Sequence, residues 1–231
     1  MKFFHDCIDF ERTMEINKQE LVLCEDYSIY NVFKSLAGPG RKYLPLCDLQ
    51  AQLLKNFNVR HPYQDIKLAM CRQFPLDAEN RVEQMRYTDF LDLVKPHNPE
   101  FSTYVNKKMH DSSIGYNFEP NLGLSEQTGY KFALLFEDMV RLENDLEMQR
   151  KFKIAQINIS DLYRSIDRDL KGFCTLHDYF TFFESSYCED LPVSTEEITY
   201  LFKRHDRERQ GRVTETDLRK ELLPLAYQGY R

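Results

Sequence analysis

The sequence predicts an all-α protein of two lobes, each built from two paired helix–loop–helix units, joined by an irregular strap and a long helix. Three observations carry this reading. Apolar residues recur at i, i+3, i+4 and i+7, which is the period of one helix face. The pattern returns about 130 residues later, which marks an internal duplication. The polar segments between the helices share a twelve-residue anatomy.

In the first half, Ile29, Val32, Phe33 and Leu36 form such a face ahead of a polar loop that starts at Ala37. Leu46, Leu49 and Leu53, with Leu54 and Phe57 one step on, form the helix after it. A second loop runs from Pro75 to Asp89, three residues longer than its counterparts. The helix that follows opens on Thr88-Asp89-Phe90 and stops at Pro96; 128 residues later Thr216-Asp217-Leu218 opens another that stops at Pro224. In the second half, Ile159, Leu162, Tyr163 and Ile166 repeat the first set at an offset of 130. Leu176, Tyr179, Phe180 and Phe183, then Ile198, Leu201, Phe202 and His205, continue the series. Phe33, Phe180 and Phe202 are expected in the core.

Between the halves, Asn98 caps a short helix with Pro99 at its first position, where proline's missing N–H costs nothing. His110 to Leu124 holds Gly115, Pro120 and Gly123 and reads as an irregular strap. From Ser125 a long helix places Phe132, Leu135, Met139, Leu142 and Leu146 at 3-4 spacing for about two heptads, until Gln149 interrupts it. That face either packs on a lobe or forms a seam with another chain. The helix carries Glu137, Asp138, Glu143, Asp145 and Glu147.

A length of 231 residues suits one to two domains, and 42% apolar with 29% charged residues is ordinary for a soluble globular chain. Seventeen Phe and fourteen Tyr argue against disorder. No run of 18 apolar residues suggests a membrane span, and the first ten residues lack the apolar stretch of a signal peptide. Six cysteines without CxxC spacing point to free thiols in a reducing compartment. The net charge of −6 lies wholly in residues 111–231, and no basic cluster suggests nucleic acid.

The loops carry a family resemblance. In Asp167-Arg168-Asp169-Leu170-Lys171-Gly172-Phe173-Cys174-Thr175-Leu176-His177-Asp178, acids stand at positions 1, 3 and 12, Gly at 6 and an apolar residue at 8. Asp206-Arg207-Glu208-Arg209-Gln210-Gly211-Arg212-Val213-Thr214-Glu215-Thr216-Asp217 repeats this with Asp, Glu, Asp, Gly and Val. The chain resembles the EF-hand superfamily, the fold of calmodulin, troponin C and centrin. The resemblance covers roughly residues 25–97 and 156–226. It implies an N-terminal segment over 1–24, a degenerate EF-hand pair over 25–97, the strap and long helix over 98–155, and a C-terminal EF-hand pair with tail over 156–231. It also implies short β-bridges that pair Leu44 with Met85 and Cys174 with Val213.

Calcium takes six to eight oxygens, including a bidentate Glu at position 12. All four loops have the shorter Asp there. Loop 1 (Ala37 to Asp48) offers no earlier carboxylate, and its position 6 is Lys42. Loop 2 is broken by its insertion. Loop 3 keeps Asp167, Asp169 and Asp178 but puts the Lys171 ammonium at position 5. Loop 4 has the fullest set, Asp206, Glu208, Gln210, Thr214 and Asp217, crowded by Arg207, Arg209 and Arg212. Thr175 with Asp178, and Thr214 with Asp217, have helix-capping spacing, which lets each helix start without metal. The expected cofactor is therefore none, or Ca²⁺ weakly at one C-terminal loop.

No nucleotide-loop, nucleophile-elbow or metalloprotease motif is present, so no enzyme is expected. The phrases Leu162-Tyr163-Arg164-Ser165-Ile166-Asp167 and Leu201-Phe202-Lys203-Arg204-His205-Asp206 resemble EF-hand proteins of protist cilia and flagella, and also calcyphosin-like cytosolic proteins. The ciliary resemblance implies a cytoplasmic, axonemal, microtubule-associated component that binds tubulin or other filament proteins, without nucleic acid or membrane partners. The alternative is a calcium-responsive sensor using the C-terminal lobe; residues 156–231 hold 14 acids and 11 bases, less acidic than such sensors. The apolar ends, Phe3, Phe4, Ile8 and Phe10 at the start and Leu225, Ala226, Tyr227 and Tyr230 at the close, are expected to cover a groove, on this chain or on a partner.

Overall fold

The computed structural model describes residues 2–74, 83–109, 120–152, 157–185 and 193–225. These residues are mostly helical, with eleven α-helices and one two-stranded sheet among them. The first helix, α1 (Lys2–Leu23), and the long helix α7 (Glu126–Phe152) each contribute to two compact units. One unit comprises Thr13–Arg141; the other comprises Met1–Arg12 and Leu142–Arg231. Among the described residues no helix is long and apolar enough to cross a membrane.

In the Thr13–Arg141 unit, α2 (Ile29–Ala37) and α3 (Leu46–Phe57) flank a loop that contains strand β1 (Tyr43–Pro45). Helices α4 (Tyr63–Gln73) and α5 (Tyr87–Val94) flank strand β2 (Gln84–Arg86), and α6 (Ser102–Met109) follows. The strands pair antiparallel with Leu44 opposite Met85, and both side chains are buried. That is the pairing expected from their loop positions. Residues 75–82, most of the second loop, lie outside the described residues, as do residues 110–119 of the strap. Phe33 packs on Phe90 with ring centroids 5.6 Å apart, and Phe132 packs on Phe57 at 5.4 Å. A Cβ on Gly129 would lie 3.0 Å from the Phe57 ring, so the glycine admits this close approach. Asp26 holds the start of α7 by accepting from the Ser125 N–H and the Thr128 hydroxyl. Lys108 closes the end of α1 by donating to the carbonyls of Val22 and Cys24.

In the other unit, α8 (Ile159–Ile166) and α9 (Leu176–Glu184) flank loop 3, and α10 (Thr195–His205) and α11 (Glu215–Leu222) flank loop 4. The two loops meet in a single antiparallel bridge, Cys174 N–H to Val213 C=O at 2.8 Å and the reverse bond at 2.9 Å. Reciprocal capping boxes start α9 (Thr175 with Asp178), α10 (Ser194 with Glu197) and α11 (Thr214 with Asp217). Each satisfies donors that a helix start leaves open.

One core expectation needs correction. Phe180 is only half-buried, while Tyr179, Phe182 and Phe183 are buried. Successive helix residues turn by about 100°, so the inward stripe through Tyr179 and Phe183 takes in Phe182 and leaves Phe180 at its edge. Within α7, Phe132, Leu135, Phe136 and Met139 are buried in the chain itself, so the seam with another chain is not needed to cover them. Phe33 and Phe202 are buried as expected.

Candidate functional site

Loop 3 starts where α8 ends. The Asp167 carboxylate is buried and accepts from the backbone N–H groups of Lys171 (3.0 Å) and Gly172 (2.8 Å), which curls the loop around it. Asp178 accepts from the Thr175 N–H at 2.6 Å and hydroxyl at 2.8 Å. The Lys171 ammonium sits 2.8 Å from both Asp178 oxygens and 3.9 Å from the exposed Asp169. A cation therefore does occupy this loop, and the chain supplies it. The sequence placed the Lys171 ammonium at position 5; in the fold its side chain bonds the carboxylate of position 12. Burial raises the Asp178 pKa, but hydrogen bonds from Lys171 and Thr175 outweigh it and hold the carboxyl below its usual range. The same Asp178 bond raises the Lys171 pKa.

Loop 1 repeats the device. Arg41, also at position 5, donates from Nη1 to Asp48, also at position 12, at 2.5 Å. Both pairs are seven residues apart, close enough for a long basic side chain to reach across the turn.

Loop 4 is organised by neutral donors. Asp206 is buried and accepts from the N–H groups of Gln210 (2.9 Å) and Gly211 (2.7 Å). Gln210 donates its amide to Glu208 at 2.6 Å and accepts from Arg212 at 2.9 Å. Asp217 is engaged by Thr214, with the hydroxyl at 2.6 Å and the N–H at 2.9 Å. Among the described residues, no three His, Cys, Asp or Glu side chains converge on one point in a set that could hold a metal ion. At position 4 of the two loops Leu170 and Arg209 have φ of +54° and +55°, a conformation side chains rarely adopt.

The unit that holds loops 3 and 4 also holds a buried charge cluster that the sequence did not reveal. Arg204 donates to Glu11 (2.9 Å), Glu143 (2.7 Å) and Glu221 (2.9 Å). Arg150 donates to Glu143 (2.8 Å) and to the side chain (2.5 Å) and carbonyl (2.7 Å) of Glu221. Arg207 reaches Glu221 at 2.7 Å, and Glu147 accepts from the Leu225 N–H at 2.8 Å. Burying an ion costs several kcal/mol unless it is paired and hydrogen-bonded, and here Arg204 and Arg150 each have several acceptors. Burial disfavours the Glu143 charge, but Arg204 and Arg150 outweigh it and lower its pKa. A usable signal existed in the sequence. The stripe through Met139 and Leu146 continues inward to Arg150, and Arg204 precedes a core histidine on the same helix end.

His205, at the end of α10, is fully buried. Its Nδ1 is hydrogen-bonded to the Tyr179 hydroxyl at 2.7 Å, and its Nε2 has no hydrogen-bond partner among the described residues. Burial pushes its pKa down to about 4, so the ring is neutral at pH 7.

The apolar N-terminus is placed as well. Phe3, Phe4, Cys7, Ile8 and Phe10 are buried on α1, within the unit that contains α8–α11. This answers the open choice between partner and self for that segment. Leu225 is buried too, while Ala226, Tyr227 and Tyr230 lie outside the described residues. Comparison with protein families, curated proteins and solved structures finds no match to this chain.

Proposed function

We propose that the chain is a non-enzymatic structural member of the EF-hand superfamily, a protein-binding component of a larger assembly that keeps its shape without calcium. The observation that carries this reading is the pair of tethered cations, Lys171 on Asp178 and Arg41 on Asp48, at one loop position in both units. A calcium sensor changes shape because binding gathers loop carboxylates that repel in the free state. Here that repulsion is already neutralised, and the capping boxes hold the helix starts. The paired loops, Leu44 with Met85 and Cys174 with Val213, support the superfamily reading.

The assembly we assign is ciliary or flagellar, an axonemal microtubule-associated site in which the protein touches tubulin or other filament proteins. This part rests on the resemblance of the Leu162–Asp167 and Leu201–Asp206 phrases. Tagged protein should remain in salt-washed axonemes with or without chelator; recovery only in the soluble fraction would refute it. A second reading, a sensor acting through loop 4, is favoured by one observation: its position 5 is the uncharged Gln210 rather than a cation.

A further inference from the structure

The contacts of the first eleven residues of α1 resemble those of a bound ligand. Phe4 lies edge-on to Phe182 with centroids 6.4 Å apart, 6.1 Å from Phe183 and 5.8 Å from the His205 ring. The Arg150 guanidinium lies 5.3 Å from the centroid of Phe3, and the Arg204 guanidinium lies 4.7 Å from that of Phe10. Glu11 completes the set with its 2.9 Å bond from Arg204. At the rim, Arg12 pairs with Glu197 of α10.

We propose that the groove formed by α9, α10 and the end of α7 is a binding site for an acidic amphipathic helix, and that Lys2–Arg12 of the same chain is its resident ligand. The chemistry sets the polarity. The groove supplies two guanidinium groups, whose faces pack on aromatic rings and whose N–H groups donate to a carboxylate. A ligand must therefore carry an adjacent aromatic pair and, seven to eight residues on, an acid. That spacing returns to the same helix face after two turns. A basic helix, the usual target of calmodulin-type grooves, would bring its charges against Arg150 and Arg204. Covalent attachment gives the resident helix an effective concentration in the millimolar range. An external helix then gains access only by matching this polarity. The proposal rests on the contacts within this unit and stands whether or not the axonemal assignment holds.

The test uses full-length chains and a fluorescein-labelled synthetic peptide of residues 2–14. In Phe4→Asp the resident helix is undocked, so the chain should bind the peptide with one-to-one stoichiometry, equally in calcium and in chelator. Wild-type chain, its groove filled, should bind at least about tenfold more weakly, as should a peptide with Glu11→Lys tested on the Phe4→Asp chain. A Phe4→Asp chain that keeps wild-type helicity and does not bind the peptide would overturn the proposal, and so would equal binding of the wild-type and Glu11→Lys peptides. If Phe4→Asp fails to fold, hydrogen exchange on the wild-type chain decides. A ligand-like segment opens on its own, so amides of Phe4–Glu11 should exchange faster than those of α10. Exchange of both at the rate of global unfolding would make the segment inseparable core and refute the idea.

Discussion

The Lys171 ammonium is chelated by Asp178, at 2.8 Å from each carboxylate oxygen. The two residues stand at positions 5 and 12, both ligand positions of a calcium loop, so the lysine and a metal ion compete for one place. Removing the amine while leaving an oxygen should open the loop. Lys171→Asn is expected to acquire a site with a Kd of about 10⁻⁴–10⁻³ M by calorimetry, and Lys171→Met none. Wild-type protein should bind calcium no tighter than about 10⁻⁵ M. A submicromolar wild-type site would sink the structural reading.

The same pair predicts a flat pH response across the neutral range. Asp178 has a lowered folded pKa, so its contribution is present above its unfolded value of 3.8 and lost as pH falls below it. Lys171 has a raised folded pKa, so its contribution is complete below 10.5 and lost only as pH climbs through the folded value.

His205 dominates the acid side of neutrality. Burial lowers its pKa from 6.5 to about 4, and Arg204, Arg207 and Arg150 add to that, with Glu221 opposing. A group with a depressed folded pKa contributes fully above the unfolded value. Stability should therefore fall between pH 6.5 and 4, by about 3 kcal/mol from this residue alone. Urea unfolding of His205→Gln, whose amide cannot titrate, should lose that slope. An unchanged slope would show that the ring is reached by water.

Much of the fold was legible because helix faces repeat at a fixed angular step. Ile198, Leu201, Phe202 and His205 were expected inside and are. The bridge partners Leu44 with Met85 and Cys174 with Val213 followed from the EF-hand resemblance of their loop positions. What failed was resolution at stripe edges and anything requiring tertiary contact. Phe180 sits one step past the stripe. The pairing of Glu143, Arg150, Arg204 and Glu221 was not legible, because periodicity carries no information about which charges face one another across helices. A direct check separates centre from edge: Phe183→Ala should cost about 3–5 kcal/mol in chemical denaturation, whereas Phe180→Ala should cost clearly less. Equal losses would mean that α9 is rotated from the position described.

Leu170 is 75% exposed and held at φ +54°. Its side chain buries little, while its backbone carries a left-handed penalty that glycine escapes. Leu170→Gly is therefore expected to raise the unfolding free energy by up to about 1 kcal/mol, after the entropy glycine adds to the unfolded chain. A loss of stability would show that the leucine makes a contact that compensates for its strained backbone.

Arg204 should be the most costly single charge to remove. Its guanidinium joins α10 to α1 through Glu11, to α7 through Glu143 and to α11 through Glu221. Arg204→Leu keeps much of the volume but takes a guanidinium away from three buried carboxylates, Glu11, Glu143 and Glu221. The expected loss is about 3–5 kcal/mol, because the penalty is that of an uncompensated buried charge rather than of a lost bond. Glu11→Gln, which keeps an acceptor and leaves Arg204 two carboxylates, should cost less, about 1–2 kcal/mol. The double variant separates the two causes. If the loss of its Arg204 bond leaves the Glu11 carboxylate costly to bury, neutralising it recovers stability, and the double variant is more stable than Arg204→Leu alone. Surface pairs lose strength in salt, but this cluster is shielded from solvent, so these differences should persist in 1 M KCl, where the screening length is about 3 Å. Strictly additive losses that fade with salt would instead describe charges in contact with water, and the cluster would then not be the lock that seats α1.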